Sequence, residues 1–172
     1  VNDRVAHLAL VRRANLTAPG LRHMAYYSDE RRLGPNIMWM LTGLNSKEAK
    51  ILAAWFDSSI GWLQFLLDRI ETEGGFGAWR GYIANNFRVP NLYTLSAEDK
   101  QELIDAFETF KDIEVGSLVE QLAANIDRDS LSDGSIADIE SAYSGLEIGH
   151  GLPERRELDK AVLTVLDIPD GD

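Results

Sequence analysis

Residues 46–70, SKEAKILAAWFDSSIGWLQFLLDRI, form the most apolar segment of the chain, and the rest of the fold must pack against them. Their large side chains recur at the spacing of one helix face. The repeating positions are Leu52, Trp55, Phe56, Ser59, Trp62, Leu63 and Leu66. The pattern predicts a single long amphipathic helix that stops at Gly74-Gly75 and buries its apolar face in the core.

The two ends and one interior position of this helix carry further signals. Asn45-Ser46 predicts the N-terminal cap, and Glu48 lies in the first turn, where the helix dipole favours a negative charge. Ala49 stands three residues after Ser46, so we expect no capping box. Gly61, shortly after a pair of serines, predicts a notch of small residues where another backbone approaches closely.

Three short apolar runs precede the helix, each separated from the next by turn residues. They are 6–11 (AHLALV), 21–28 (LRHMAYYS) and 36–44 (NIMWMLTGL). The second and third runs follow the breakers Ala18-Pro19-Gly20 and Gly34-Pro35, which is typical of strands joined by turns. The sequence therefore predicts a small, mostly antiparallel sheet beside the helix.

Helical patterns return after residue 95. Ser96 caps a helix whose apolar face holds Leu103, Ile104, Phe107 and Phe110. Further amphipathic helices are predicted at 117–126, 136–146 and 153–168. The fold class expected is α+β: a small antiparallel sheet with a long helix, followed by an acidic helical part. We predict the division at 1–95 and 96–172, with the second part packing on the first or on a catalytic domain elsewhere.

Composition excludes several classes of protein. The chain has 172 residues and no cysteine, so it has no disulfide and no thiolate metal site. Its apolar runs are shorter than the roughly 18 residues of a membrane span, and its polar start is unlike a signal peptide. The three histidines lack metal-ligand spacing, and no phosphate loop, nucleophile elbow or zinc-protease motif occurs. We predict a cytoplasmic chain with no catalytic residue, metal or cofactor of its own. Because it begins with Val1, we read it as a piece of a longer protein.

The net charge of −11 is unevenly distributed along the chain. Residues 1–90 carry 11 Lys/Arg against 8 Asp/Glu, a net charge of +3, whereas residues 91–172 carry 6 against 20, a net charge of −14. Such asymmetry predicts two surfaces with different partners, although a high Asp/Glu surface is also a form of salt adaptation. Nine of the twelve arginines precede residue 91, and arginine offers planar, bidentate hydrogen bonding to phosphates and bases.

Residues 68–92, DRIETEGGFGAWRGYIANNFRVPNL, combine glycines, aromatic side chains and planar donors. Arginine and asparagine read base edges, arginine and threonine hold phosphates, and glycine lets the backbone approach a phosphate closely. With arginines from the first strands, the predicted DNA-binding set is Arg12, Arg13, Arg22, Arg69, Thr72, Gly74, Gly75, Trp79, Arg80, Asn85, Asn86 and Arg88. The alternative is that the aromatic residues Trp79, Tyr82 and Phe87 belong to the core and the glycines only end a helix and form a turn.

Three motifs in a fixed order carry a resemblance to a known family. They are 56–61 (FDSSIG), similar to Leu-Asn-Ser-Thr-x-Gly; 69–74 (RIETEG), similar to Arg-x-Glu-Thr-x-Gly; and 89–92 (VPNL), similar to Val-Pro-Asp-Leu. The tail 155–169, RRELDKAVLTVLDIP, is similar to the closing helix of the same family. The family is the C-terminal target-recognition region of N6-adenine DNA methyltransferases of prokaryotic restriction-modification systems, including the TaqI-like and fused restriction–modification types. The chain departs from it at Asp57, where Asn is common, and at Glu73, where a small or basic residue is common.

The resemblance implies a non-catalytic half of an enzyme. The family's catalytic half carries an Asn/Asp/Ser-Pro-Pro-Tyr/Phe motif and a glycine-rich loop for S-adenosylmethionine, and the chain contains no Pro-Pro pair. Methyl transfer and its cofactor are therefore expected in an upstream catalytic domain, which would flip the target adenine out of the duplex. The implied partners are double-stranded DNA and that domain. The competing interpretation is a protein–protein interaction module whose acidic helices bind a basic partner. A small-molecule enzyme with a dispersed site has no supporting motif.

Overall fold

The computed structural model describes residues 5–15, 23–72, 76–113 and 153–168. The strands are β1 (Val5–Val11), β2 (Arg13–Asn15), β3 (Ala25–Leu33), β4 (Met38–Leu41), β5 (Ile70–Thr72) and β6 (Phe76–Ala78). The helices are α1 (Ser46–Asp57), α2 (Ser59–Asp68), α3 (Gly81–Ala84), α4 (Ala97–Phe110) and α5 (Pro153–Val165). The predicted α+β class is confirmed, because these helices lie beside an antiparallel sheet of three strands. The predicted helices at 117–126 and 136–146 lie outside the described residues.

The first sheet is built from the three predicted strands in the order β3-β1-β4. Leu8 of the central strand pairs with Tyr27 on one side and with Leu41 on the other, and both neighbours run antiparallel to β1. β3 begins later than the apolar run predicted and continues through the charged residues 29–32, which are exposed. Charged side chains on such an edge strand discourage pairing with other chains.

A second antiparallel sheet, in the order β2-β6-β5, has no counterpart in the predictions. Each of its strands has three residues, and Arg13 and Ile70 both pair with Ala78 of the central strand β6. The predicted helix end at Gly74-Gly75 is wrong, because α2 ends at Asp68 and Arg69 already has extended backbone angles (φ −68°, ψ 146°). A strand of three residues is too short to show an alternating pattern in the sequence.

The single long helix predicted for residues 46–70 is two helices broken at Ser58. Ser58 has extended backbone angles (φ −69°, ψ 163°), and its hydroxyl accepts from the Gly61 N–H at 3.2 Å, so it caps α2. The small-residue notch predicted around Gly61 accommodates the end of α1 itself. A Cβ at Gly61 would lie 2.6 Å from the Cα of Phe56. Glycine therefore permits the break.

The start of α1 corrects a second expectation. Asn45 is the N-cap, and its side chain accepts from the Glu48 N–H at 3.0 Å while the Glu48 carboxylate accepts from the Asn45 N–H at 2.8 Å. This reciprocal pair is a capping box, so the expectation that α1 has none, which counts from Ser46, is wrong. At α4, Ser96 and Asp99 form a second capping box.

The core is centred on α1, which is buried from residue 51 through the break at Ser58. α4 and α5 pack against α1 and against each other. Their buried side chains are Leu103, Phe107, Phe110, Leu158, Ala161 and Val162. The described helices of the predicted C-terminal part thus share one core with the N-terminal part. None of the helices in the described residues is long and apolar enough to cross a membrane.

α5 also holds the break between α1 and α2. The Arg155 guanidinium donates to the Asp57 carbonyl at the end of α1. The Asp159 carboxylate accepts from the Ser59 N–H at 2.7 Å and from its hydroxyl at 2.6 Å, at the start of α2. A helix from the far end of the sequence therefore satisfies backbone groups that the break leaves without partners within their own helices. Burial lowers the pKa of Arg155, while Asp57 and Asp159 act in the opposite direction.

Candidate nucleic-acid interface

Trp79 is the structural centre of the segment for which DNA binding was predicted. Its ring is 1% exposed, and its indole N–H donates to the Phe65 carbonyl of α2 at 2.8 Å. Its backbone N–H donates to the Arg12 carbonyl at 2.9 Å, and its own carbonyl accepts from the indole N–H of Trp39 at 3.1 Å. The prediction that Trp79 contacts DNA is therefore wrong, because a ring enclosed in the core cannot stack on a base.

The backbone hydrogen bond between Trp79 and Arg12 brings the chain at Arg80 close to the chain at Arg12. Arg12 is exposed and its guanidinium lies over the Trp39 ring, 5.0 Å from the centroid. A Cβ at Gly81, the residue after Arg80, would lie 3.4 Å from the Trp39 ring. These two arginines are 68 positions apart in sequence, and the second sheet joins them.

Arg13 follows Arg12 in the chain and adds a third exposed arginine, on β2 of the second sheet. It is paired with Ala78, which is paired on its other side with Ile70, so the three side chains lie on one face of the sheet. Arg13 is exposed, whereas Ala14 and Gly77, whose positions face the opposite side, are buried. We call Arg12, Arg13 and Arg80 the arginine platform.

Arg69 and Thr72 frame the same small sheet. Arg69 is exposed and donates to the Leu66 carbonyl at the end of α2. A Cβ at Gly77 would lie 3.5 Å from the Cβ and Cδ atoms of Arg69, so the aliphatic part of the Arg69 side chain packs close to β6. Thr72 belongs to β5, where its backbone pairs with Phe76. Arg22, Gly74 and Gly75 of the predicted set lie outside the described residues.

Arg88 is held on a separate rigid support. The Gln64 side chain accepts from the Arg88 N–H at 2.6 Å and donates to its carbonyl at 3.2 Å, and the indole of Trp55 donates to the same carbonyl at 3.0 Å. The backbone is fixed by these three bonds, while the side chain is exposed. Within the described part of the chain, the guanidinium groups of Arg80 and Arg88 make no hydrogen bond or ion pair.

Amides and aromatic rings are exposed in the segment from Arg80 to Tyr93. Asn85 and Asn86 are exposed just after α3, and Asn86 donates to the Tyr82 carbonyl at 2.7 Å. Tyr82 is 60% exposed and Tyr93 is 92% exposed, so neither belongs to the core. Phe87 packs against the core, as the alternative interpretation proposed for the aromatic residues of this segment. In the sequence, the turn residues Pro90-Asn91 just before Tyr93 are the signal for its exposure. In the structure the Asn91 side chain accepts from the Tyr93 N–H at 3.1 Å.

The local charge favours an anionic ligand. Arg80 and Arg88 are the only charged residues in 76–95, which gives this segment a net charge of +2 in a chain whose total is −11. Other arginines of the N-terminal half are engaged within the fold. Arg32 bonds to Ser28 and Glu30, and Arg31 donates to the Leu44 carbonyl. The exposed donors of 80–88 and the arginine platform therefore have the chemistry of a phosphate-binding surface.

Asp57 shows what the resembling motif at 56–61 does in the fold. Its carboxylate is 2% exposed and accepts from the N–H groups of Met24 and Ala25 at 2.8 and 3.1 Å, while its other oxygen lies 3.1 Å from Nδ1 of His23. This buried group ties the end of α1 to the start of β3 and cannot touch DNA. Among the described residues, no three His, Asp or Glu side chains are placed to hold a metal ion.

Comparisons with known proteins give no external guide to this surface. A scan against protein-family models, a search of curated proteins and a search of solved structures each find no match to the chain.

Proposed function

We propose that this chain is the DNA target-recognition part of an S-adenosylmethionine-dependent N6-adenine DNA methyltransferase of a restriction-modification system. In this role it holds duplex DNA beside a separate catalytic domain, which binds the cofactor and performs the methyl transfer. An adenine amino group is unreachable inside the base stack, so the duplex must be held while the base is flipped out. The order of the three sequence motifs supports the choice of family.

One observation carries the DNA-binding role: the fold brings exposed arginines from distant segments onto one support. Arg12 lies over the Trp39 ring, Arg80 directly follows the buried Trp79, Arg13 is exposed on the second sheet, and residues 76–95 contain no carboxylate. The duplex carries one negative charge per about 1.7 Å of its axis, so a row of arginines gains affinity by releasing counterions. Arg80 and Arg88 have no competing partner in the described residues that DNA would need to displace.

The roles of the side chains differ by their chemistry. The arginine platform holds phosphates, because its exposed guanidinium groups are carried on backbone in or next to the second sheet. Asn85, Asn86 and Arg88 offer the planar donors that read base edges in the major groove. Loss of a phosphate contact weakens binding to every sequence. Loss of a base contact relaxes specificity at one position by about 1–3 kcal/mol.

Fluorescence anisotropy of the chain with a labelled duplex tests the proposal. Three phosphate contacts predict that affinity falls about 40-fold when salt is raised from about 50 to 200 mM. Arg12→Gln and Arg80→Gln should each reduce the salt slope by about 1. Arg156→Gln is the matched control, because Arg156 is equally an exposed arginine but lies on α5.

Three results would overturn the proposal. The chain could fail to bind any duplex at about 50 mM salt, it could bind without salt dependence, or Arg156→Gln could reduce the slope as much as Arg80→Gln does. The first result would favour the competing interpretation, in which the acidic helices bind a basic protein partner.

A further inference from the structure

The tip of the β3–β4 turn presents an isolated apolar side chain. Ile37 is 65% exposed, whereas the neighbouring strand residues Met38 and Trp39 are half-buried. The turn is fixed on both sides, because the Met38 N–H donates to the Pro35 carbonyl at 3.1 Å and the Arg12 N–H donates to the Ile37 carbonyl at 3.0 Å. The Ile37 side chain is therefore held outward on a rigid backbone, and holding it there costs no further ordering of the chain when it binds.

Cationic and polar groups surround this tip. The Arg12 guanidinium donates to the Asn36 carbonyl at 3.3 Å while it lies over the Trp39 ring. An open cleft of about 250 Å³ beside the tip is lined by Arg12, Gly34, Pro35, Asn36, Met38, Trp39 and Met40. The residue that precedes Ile37 is an asparagine and the nearest charge is an arginine of the platform. The tip thus combines one apolar side chain with donors for phosphate and base edges.

We propose that Ile37 is a wedge that inserts between two stacked base pairs of the DNA held by the arginine platform. This inference rests on the proposed DNA-binding function and adds a residue that deforms the duplex. Apolar wedges that unstack a base step work beside arginines and asparagines, which hold the backbone on either side while the step opens. The backbone bond between Ile37 and Arg12 couples the wedge directly to a phosphate-holding residue.

The surroundings favour a base step over a protein partner as the occupant. A protein-binding hot spot needs a contiguous apolar patch from which water is excluded. Ile37 is instead the one exposed large apolar side chain of residues 34–41, since Met38 and Met40 are half-buried and the Arg12 guanidinium lies over Trp39. A single branched side chain beside an arginine fits the narrow space between two base pairs, and pyrimidine–purine steps open at the lowest cost.

The test uses a duplex of about 30 base pairs with 2-aminopurine at a central TA step, a position that opens easily. The fluorescence of 2-aminopurine rises when it loses its stacking partner, and anisotropy of a separate end label reports binding. The 172-residue chain is compared with Ile37→Ala and with Ile168→Ala, which removes another exposed isoleucine from a position beyond the end of α5. Circular dichroism confirms that each variant folds, which is expected for changes at exposed positions.

We expect the unsubstituted chain and Ile168→Ala to raise the fluorescence of the bound duplex. Ile37→Ala should still bind, with affinity reduced no more than about tenfold, but should leave the fluorescence at its value in free DNA. If the unsubstituted chain binds with normal salt dependence and the fluorescence stays flat, or if Ile37→Ala raises it equally, the wedge is refuted and the DNA-binding proposal stands. Absence of binding by the unsubstituted chain at low salt refutes both.

Discussion

Replacing Asp57 by alanine should destabilise the fold by about 3–5 kcal/mol, because the buried carboxylate is an acceptor for three groups at once. The N–H groups of Met24 and Ala25 both bond to Oδ1, and these residues are 0% and 5% exposed, so water cannot replace the lost acceptor. Each buried donor left without a partner costs about 1–3 kcal/mol. His23 loses its contact with Oδ2 as well.

Asp57→Asn is the informative control. Its side-chain oxygen can still accept from both N–H groups, so only the extra strength of a charged acceptor is lost, about 1 kcal/mol. Urea denaturation at pH 7, followed by circular dichroism, measures the free energy of unfolding of the chain and both variants. An alanine variant within about 1 kcal/mol of the unsubstituted chain would refute the reasoning. So would an asparagine variant as unstable as the alanine variant, because it would show that the charge, and not the acceptor geometry, stabilises this junction.

Three further predictions concern stability. Gly61→Ala should destabilise by about 3 kcal/mol in urea denaturation, since its Cβ would lie 2.6 Å from the Phe56 Cα; helix propensity alone predicts a gain of about 1 kcal/mol. Trp79→Phe should cost about 2–3 kcal/mol in urea denaturation but leave the salt slope of DNA binding unchanged, because the ring is buried. Hydrogen bonds from Lys111 and Lys50 lower the pKa of Glu108, so its stabilisation is present above the usual carboxyl pKa and is lost as pH falls through the folded value. Glu108→Gln should therefore cost about 0.5 kcal/mol at pH 7 and progressively less as pH falls below the usual carboxyl pKa, measured by urea denaturation across that range.

The elements that the sequence predicts well are those whose pattern is local. The strands of the first sheet follow from apolar runs separated by Gly-Pro and Pro-Gly turns, and α4 follows from Ser96 and an apolar face at helical spacing. The helix break was missed, because a helical pattern continues in phase across Ser58. The capping box was missed for a simpler reason: Asn45 and Ser46 both cap helices well, and only the structure shows which of them does so.

The second sheet and the arginine platform depend on contacts that no local pattern encodes. Arg13 and Ala78 pair across 65 positions of sequence, in strands of three residues. Without this pairing, nothing in the sequence indicates that the arginines at 12, 13 and 80 lie near one another. With it, Arg12 and Arg80 flank one buried tryptophan. The inclusion of these arginines in the predicted set rests on their chemistry and stays a prediction, whereas the error at Trp79 came from assigning an aromatic ring to the surface without knowing what packs on it.

The resemblance and the proposed DNA contacts rest on largely different residues. Phe56, Asp57, Ser58 and Gly61 of the motif at 56–61 are buried, and α5, from the resembling tail, satisfies the backbone at the break. These residues build a scaffold. The exposed arginines at 12, 13, 80 and 88 lie outside the three motifs. A substitution in the scaffold should therefore lower the free energy of unfolding but leave the salt slope of DNA binding by the folded molecules unchanged. A substitution in the arginine platform should reduce the salt slope of DNA binding but leave the free energy of unfolding unchanged. Variants such as Asp57→Asn and Arg80→Gln separate the two, because a combined variant should show both effects at their single-variant sizes, as expected for sites that share no partner.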